Sequence, residues 1–320
     1  MATARTGRGP RDTVAARPDP TADMAWIAGR AFAMGSEGHY PEEAPVHDVT
    51  VGGFWIDRTT VRNRDFERFV RATGHVTLAE QAPDPADYPD ALPELLVPAS
   101  SVFVAPQHEV DLRNAYNWWT YEPGANWRHP YGPGSSIRDR PDHPVVHLAW
   151  EDAEAYAHWA GKDVPTEAEW ELAARGGLDG ATYAWGEEFI PDGVWMANTW
   201  QGRFPYENTA ADGYVGTAPV GRYPPNGYGL RDMIGNVWEW TSDWYAGHDA
   251  PAGSCCGPSP RDRSIERGER VPRKVIKGGS YLCAANYCRR YRPAARMAQA
   301  IDTATCHLGL RCVVRPAAAG

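Results

Sequence analysis

The sequence predicts one α+β domain in which regular secondary structure takes less than its usual share. Three observations lead there. No Pro/Ser-rich interior linker or abrupt change of composition divides the 320 residues, so one domain is expected although length alone would allow two. Glycine (32), proline (28) and tryptophan (14) are abundant, the signature of ordered loops braced by aromatic side chains. The periodic stretches are short, and loops separate them.

Residues 1–23 carry positive charges and prolines but no hydrophobic core of a secretory signal, and they read as a disordered lead. The domain is expected over 24–316, with a tail at 317–320. Residues 24–36 alternate and turn at Gly29, predicting a hairpin; 47–56 predict a second strand pair. Phe66, Phe69 and Val70 stand at i, i+3, i+4 within 63–73 before Gly74, predicting an amphipathic helix with a glycine stop. Residues 75–142 are loop-rich, and a loop that long points to function. Trp118, Trp119 and Trp127 argue for order there, as a groove wall or as core.

Residues 145–148 read as a buried strand leading into a helix over 151–160 that stops at Gly161. Thr166 and Glu169 form a T-x-x-E capping box, predicting a helix over 167–175 with Glu169 as a cap rather than a catalytic acid. Residues 245–272 are polar and read as a solvated loop carrying the vicinal, unreactive Cys255 and Cys256.

The net charge of -9 argues against a nucleic-acid partner, whose binding draws on a basic face. No apolar run approaches the roughly 20 residues that span a bilayer, so no membrane partner is expected. Six cysteines without a secretory signal predict a reducing, cytoplasmic location and mostly free thiols.

The densest chemistry lies in 277–312, which opens K-G-G-S-Y-L-C-A-A-N-Y-C-R-R-Y-R-P-A-A-R. Cys283 and Cys288 follow a Gly-Gly-Ser turn and adjoin Arg289, Arg290, Arg292 and Arg296. Neighbouring positive charge lowers a thiol's pKa toward the thiolate that binds metals and attacks electrophiles. Two thiolates with no adjacent His or carboxylate make a soft site suited to Cu(I) or Zn. Structural zinc wants four ligands, so the pair fits two-coordinate Cu(I) or a redox-active dithiol, and equally a disulfide or two buried thiols.

That run resembles the active-site segment of the formylglycine-generating enzymes, the sulfatase-modifying oxidases that convert a sulfatase cysteine to Cα-formylglycine. Upstream, V-P-T-E-A-E-W-E at 164–171, A-A-R-G-G at 173–177, Y-A-W-G at 183–186 and G-N-V-W-E-W at 235–240 extend the likeness over about 24–314. Lectin-like domains and iron-dependent sulfoxide synthases share these blocks. They therefore imply the formylglycine-generating-enzyme, C-type-lectin-like fold, and the paired cysteines narrow the likeness to the oxidases.

The resemblance implies Cu(I) on Cys283 and Cys288, O2 as co-substrate, and a sulfatase polypeptide carrying C-x-P-x-R as client. It implies that Ser280 donates a hydrogen bond near the oxygen site, that Trp238 is an apolar wall, and that Tyr287 and Arg292 support the substrate pocket. Two calcium sites carry over: Asn198, Thr199, Asp212 and Tyr214, and Asp232, Gly235, Val237 and Glu239, with Thr199, Tyr214, Gly235 and Val237 contributing carbonyls. Oxygen ligands on flexible loops suit that ion. Ala174 and Pro293 stand where secreted animal relatives carry cysteines, which points to a bacterial, cytosolic form.

The rival readings are a non-catalytic lectin-like or peptide-binding module, which has no use for paired thiols, and an iron-dependent sulfoxide synthase. The latter needs clustered His ligands, for which His143 and His147 are the only close pair. A copper-free thiol oxidase would use the same two cysteines.

Overall fold

The computed structural model describes residues 19–248 and 258–317. Residues 1–18 of the expected lead, 318–320 of the tail, and Cys255 and Cys256 lie outside the described residues. Residues 19–23 form a turn closed by the Met24 N–H on the Thr21 carbonyl at 3.0 Å.

Four strands follow: β1 (Met24–Ile27), β2 (Arg30–Met34), β3 (His47–Val51) and β4 (Phe54–Asp57). The hairpin expected at Gly29 does not form, nor does a pairing of β3 with β4. β1 pairs with β4 and β2 with β3, both antiparallel. The strands are thus two arms of one long hairpin that bends at Gly29 and Gly53. A Cβ at Gly29 would sit 2.5 Å from the Gly53 nitrogen, so the bend needs glycine where the backbones meet.

Helix α1 (Asn63–Thr73) buries Phe66, Phe69 and Val70 and ends at Gly74 with φ 72°, as the periodicity predicts. Residues 75–142 are less bare than expected. β5 (Ala99–Phe103) and β6 (Trp119–Pro123) pair as an antiparallel ribbon. Residues 145–148 are buried but make no strand: His147 adopts φ 61°. The Val145 N–H bonds the Val61 carbonyl and the His147 N–H bonds the Thr305 carbonyl, both at 2.9 Å.

Helix α2 (Trp150–Trp159) packs Tyr156 against Phe66 at 5.8 Å. Helix α3 (Glu167–Arg175) has the predicted capping box. The Glu169 N–H donates to Thr166 Oγ1 at 3.1 Å, and the Thr166 N–H donates to Glu169 Oε2 at 2.7 Å. Residues expected as a plain solvated loop include a one-turn helix, α4 (Pro260–Arg263).

The central sheet orders β10 (Leu308–Gly309), β7 (Trp238–Trp244), β8 (Arg273–Lys277) and β9 (Arg296–Ala300), with only β10–β7 parallel. β11 (Val313–Val314) returns to β4, so the chain end closes onto its beginning. No helix among the described residues is long and apolar enough to cross a membrane.

A buried ionic cluster fastens α3 to this sheet. Lys277 Nζ, fully buried at the end of β8, donates to Glu171 Oε2 at 2.8 Å and lies 3.5 Å from Glu167 Oε1. Arg175 reaches Glu171 at 2.6 Å, and Arg296 binds both oxygens of Glu167 at 2.7 and 2.8 Å. Burial alone would raise both carboxyls, but Lys277 with Arg175 and Arg296 holds them low.

Removing one partner of such a cluster strands buried charge. Lys277→Met should lower unfolding stability by about 3–5 kcal/mol, read as a fall in urea midpoint. A midpoint within the error of the native protein would show that α3 does not depend on the pair.

Candidate active site

β8 delivers the chain into Gly278 and Gly279, with φ 97° and 71°. A Cβ at Gly279 would stand 2.8 Å from the Arg290 carbonyl oxygen, so glycine lets the loop fold back on its own continuation. Two turns follow: the Cys283 N–H bonds the Ser280 carbonyl at 2.9 Å and the Cys288 N–H bonds the Ala284 carbonyl at 3.0 Å. They bring Cys283 Sγ and Cys288 Sγ face to face at 3.2 Å, both free thiols.

The sulfurs are unequal. Cys283 is buried, and burial followed by the neighbouring Cys288 pushes its thiol well up. Cys288 is partly exposed and is lowered to about 6, first by the hydrogen bond from Cys283 and then, against burial, by Arg290. The pair near neutral pH therefore holds one proton on Cys283, donated toward a Cys288 thiolate.

Only one of the four arginines serves the sulfur. Arg290 Nη1 lies 3.9 Å from Cys288 Sγ, with its guanidinium paired to Glu42 and 3.9 Å from the Tyr40 ring centroid. Arg292, expected at the substrate pocket, is buried and spent on Glu43 and on the Arg289 carbonyl at 2.9 Å. It holds the loop and has no free donor face for a client. Arg296 belongs to the Glu167 cluster.

An aromatic wall rises beside the thiols. Tyr287 stacks on Phe204 with centroids 4.6 Å apart and planes at 6°, and Trp118 meets both rings edge-on at 5.4 Å. Trp118 is thus buried core and the backing of the site at once. Asn286 Nδ2 ties the Phe204 carbonyl at 3.3 Å. Trp238 is buried in the same apolar cluster as Cys283, against which Cys288 packs. The Ser280 N–H points at Cys283 Sγ at 3.4 Å, and its hydroxyl accepts the Leu282 N–H at 3.2 Å. Phe204, Tyr40 and Glu42 leave no signal in the sequence, since each meets the thiol loop only through long-range folding, and Asn286, inside that loop, is given its role only by Phe204.

In the first oxygen-rich set Thr199, Asp212 and Tyr214 come together, with Gln201 Nε2 donating to the Thr199 carbonyl and to Asp212 Oδ2 at 2.8 Å. Asp212 Oδ2 accepts the Thr199 N–H at 3.0 Å, Asp212 Oδ1 accepts the Tyr214 N–H at 3.1 Å, and Asn198 Oδ1 is buried with no hydrogen-bond partner. A buried oxygen without a donor is costly, and a hard cation would satisfy it. In the second set Asp232 Oδ1 is likewise buried and unpartnered, and burial pushes that carboxyl up to about 6. Glu239 differs: Arg311, Trp170 Nε1 at 2.7 Å and Thr60 Oγ1 at 2.9 Å engage both its oxygens. It is the counter-ion of buried Arg311 and has no free side for a second cation.

Cys306 is buried under the Tyr281 hydroxyl at 3.4 Å, and Cys312 is buried and free. His147 bonds Ser100 Oγ at 2.7 Å and the Pro130 carbonyl at 2.9 Å, and burial lowers it to about 4. Neither of its nitrogens is left for a metal. Among the described residues, no trio of His, Cys, Asp or Glu side chains is placed to hold one.

A family model, the sulfatase-modifying factor enzyme 1-like domain, matches residues 10–316. The chain belongs to that family. It is 54% identical over 297 residues to a formylglycine-generating enzyme of Mycobacterium tuberculosis, covering 92% of this chain and 98% of the relative. It is 48% identical to one of Thermomonospora curvata, covering 92% and 93%. Among solved structures, PvdO from Pseudomonas aeruginosa aligns over 91% of this chain and 93% of its own with a TM-score of 0.58 at 23% identity, a likeness of fold.

The unequal thiols set an expected pH profile. With chelator present, iodoacetamide should alkylate Cys288 at a rate half-maximal near pH 6 and flat above it, because the thiolate is the nucleophile. Arg290→Gln should move that midpoint to higher pH. A midpoint at an ordinary thiol's roughly 8.5 would contradict the arrangement.

Proposed function

We propose that this protein oxidises a cysteine in a C-x-P-x-R segment of a sulfatase to Cα-formylglycine, with Cu(I) held by Cys283 and Cys288 and O2 as oxidant. The observation that carries the reading is the pair of unbridged, facing thiols at the foot of an aromatic wall, in a chain of this family. Two sulfurs without a His or carboxylate beside them are the donor set a soft cation prefers. When bound, copper would supply the electron-transfer chemistry by which O2 is reduced.

The rest is the work of this chain's own groups. Cys288 stands ready as a thiolate, and Cys283 gives up the pair's single proton when a cation binds. Arg290 keeps positive charge beside Cys288 while Glu42 and Tyr40 fix its direction. Tyr287, backed by the buried Phe204 and Trp118, offers the client an apolar face beside the sulfurs. The client's proline biases the preceding residue to an extended conformation, which keeps its cysteine clear of local helical structure. Trp238 closes the apolar side. The Ser280 N–H, directed at Cys283 Sγ, steadies that sulfur, and its hydroxyl sits in the same turn. Calcium is proposed at the Asn198 set, where it would satisfy the bare oxygen and pin the loop, and at Asp232 with the Gly235 and Val237 carbonyls but without Glu239. The four cysteines among the described residues are free thiols, which suits a reducing cytoplasm.

The iron-dependent alternative fails on His147, whose nitrogens are both engaged. A copper-free thiol oxidase differs in one measurable respect, metal dependence.

A C-x-P-x-R peptide incubated aerobically with the copper-loaded protein should show the mass change from CH2SH to CHO at its cysteine. Turnover should vanish in Cys283→Ser and in Cys288→Ser. Equal turnover without copper would remove the metal from the mechanism, and no turnover by folded, loaded protein would refute the activity on this motif.

A further inference from the structure

The thiol loop is clamped from below by the two oxygen-rich loops, and Asn236 is where they meet. Its backbone N–H donates to the Asn198 carbonyl at 2.8 Å, and its own carbonyl accepts the Tyr281 N–H at 3.0 Å. Its side chain is buried and fully bonded: Oδ1 accepts from Asn198 Nδ2 at 3.1 Å and from the Ala218 N–H at 2.9 Å, and Nδ2 donates to the Ala218 carbonyl at 3.1 Å.

Two further bonds run beside it. The Gly235 N–H reaches the Gly278 carbonyl at 2.9 Å, and the Trp200 N–H reaches the Cys283 carbonyl at 3.0 Å. Contact is close enough that a Cβ on Gly235 would stand 2.5 Å from the Asn198 oxygen. The residue type follows from the position. Asn236 has φ 55°, a region asparagine tolerates better than most residues, and its side-chain acceptor is the atom that ties Asn198 to the Ala218 backbone.

Both unpartnered oxygens, Asn198 Oδ1 and Asp232 Oδ1, lie on the segments that Asn236 joins. We infer that Asn236 is a positioning residue for the thiol pair, the joint through which a cation bound at Asn198 fixes the loop that carries Cys283. The inference rests on the proposed calcium at the Asn198 set but not on copper or on turnover. A cation on Asn198 Oδ1 would hold that amide in place. Its Nδ2 then holds Asn236 Oδ1, and the Asn236 carbonyl holds the Tyr281 N–H two residues before Cys283. Without the cation Asn198 Oδ1 is left bare, and only the bonds from its Nδ2 to the Gly216 carbonyl at 2.9 Å and to Asn236 hold the amide, so the clamp loses one of its fixed points.

The test reads thiol protection. The full-length, copper-free protein is treated with iodoacetamide in calcium alone or in EGTA, and Cys283 alkylation is followed by peptide mass while calcium uptake is measured by titration calorimetry. Calcium should slow Cys283 alkylation by about fivefold or more, the factor that one net hydrogen bond carries. Asn236→Gly accepts the backbone conformation but lacks the amide, and should lose most of that response. Asn236→Asp keeps the acceptor for Asn198 and Ala218 and should retain it. A native protein that takes up calcium without changing its Cys283 rate overturns the inference, as does one that takes up none. An Asn236→Gly protein with the full response overturns it as well. Because the peptide assay is separate, oxidase activity with no calcium effect would sink this inference alone.

Discussion

Everything near the thiols depends on charge buried where water cannot screen it. Lys277 ends β8 inside the protein, and its ammonium is tolerable there only because Glu171 and Glu167 face it. Those carboxylates in turn need Arg175 and Arg296. Such clusters give little net stability relative to a well-packed apolar core. What they supply here is register: Lys277 can occupy one position against α3, so the chain leaves the sheet at Gly278 and the reversal carrying the cysteines starts at a defined point. A one-residue slip of β8 would place Ile276 against the carboxylates and leave the ammonium unpaired.

The same logic extends to the turn at Pro41–Glu43. Glu42 takes Arg290 and Glu43 takes Arg292, so the acidic turn holds the far side of the thiol loop as α3 holds the near side. The basic run after Cys288 reads in sequence as one field of positive charge. In the fold it is divided among three carboxylate partners, and the sulfur receives a single guanidinium at 3.9 Å. That guanidinium adds to the hydrogen bond from Cys283 in favouring the Cys288 thiolate.

How far the sequence could be read follows from the range of each interaction. The Thr166–Glu169 capping box, the apolar spacing of α1 and the Gly74 stop are settled within a few residues, and the structure has them where the pattern puts them. Alternation points to a hairpin at Gly29 because it marks strands without naming partners, and the choice of β4 for β1 is made across the Gly29–Gly53 bend. Residues 145–148 look like a strand because they are apolar. The left-handed turn at His147 depends on Thr305 and Ser100, far away in sequence. At the site, the paired cysteines and the Gly-Gly-Ser turn were legible, as was Tyr287. Glu239 looked like a metal ligand by resemblance, and only the fold shows Arg311 seated on both of its oxygens.

The two cysteines are equivalent as letters and different as sites, and burial produces the difference. Cys283 sits where the Trp200 N–H and Ser280 N–H meet it and solvent does not; Cys288 sits at the lip, within reach of Arg290 and beside Tyr287. A lone buried thiol would stay protonated, and a lone surface thiol would titrate at its usual pH. Placing them 3.2 Å apart joins the two cases, because the buried thiol donates to its exposed neighbour and the pair settles on one proton. A soft cation held by the pair would find a thiolate at Cys288 and would displace a single proton from Cys283. The C-x4-C spacing permits this arrangement, but the depth of one sulfur relative to the other, set by the aromatic wall and the clamp beneath the loop, is what brings it about.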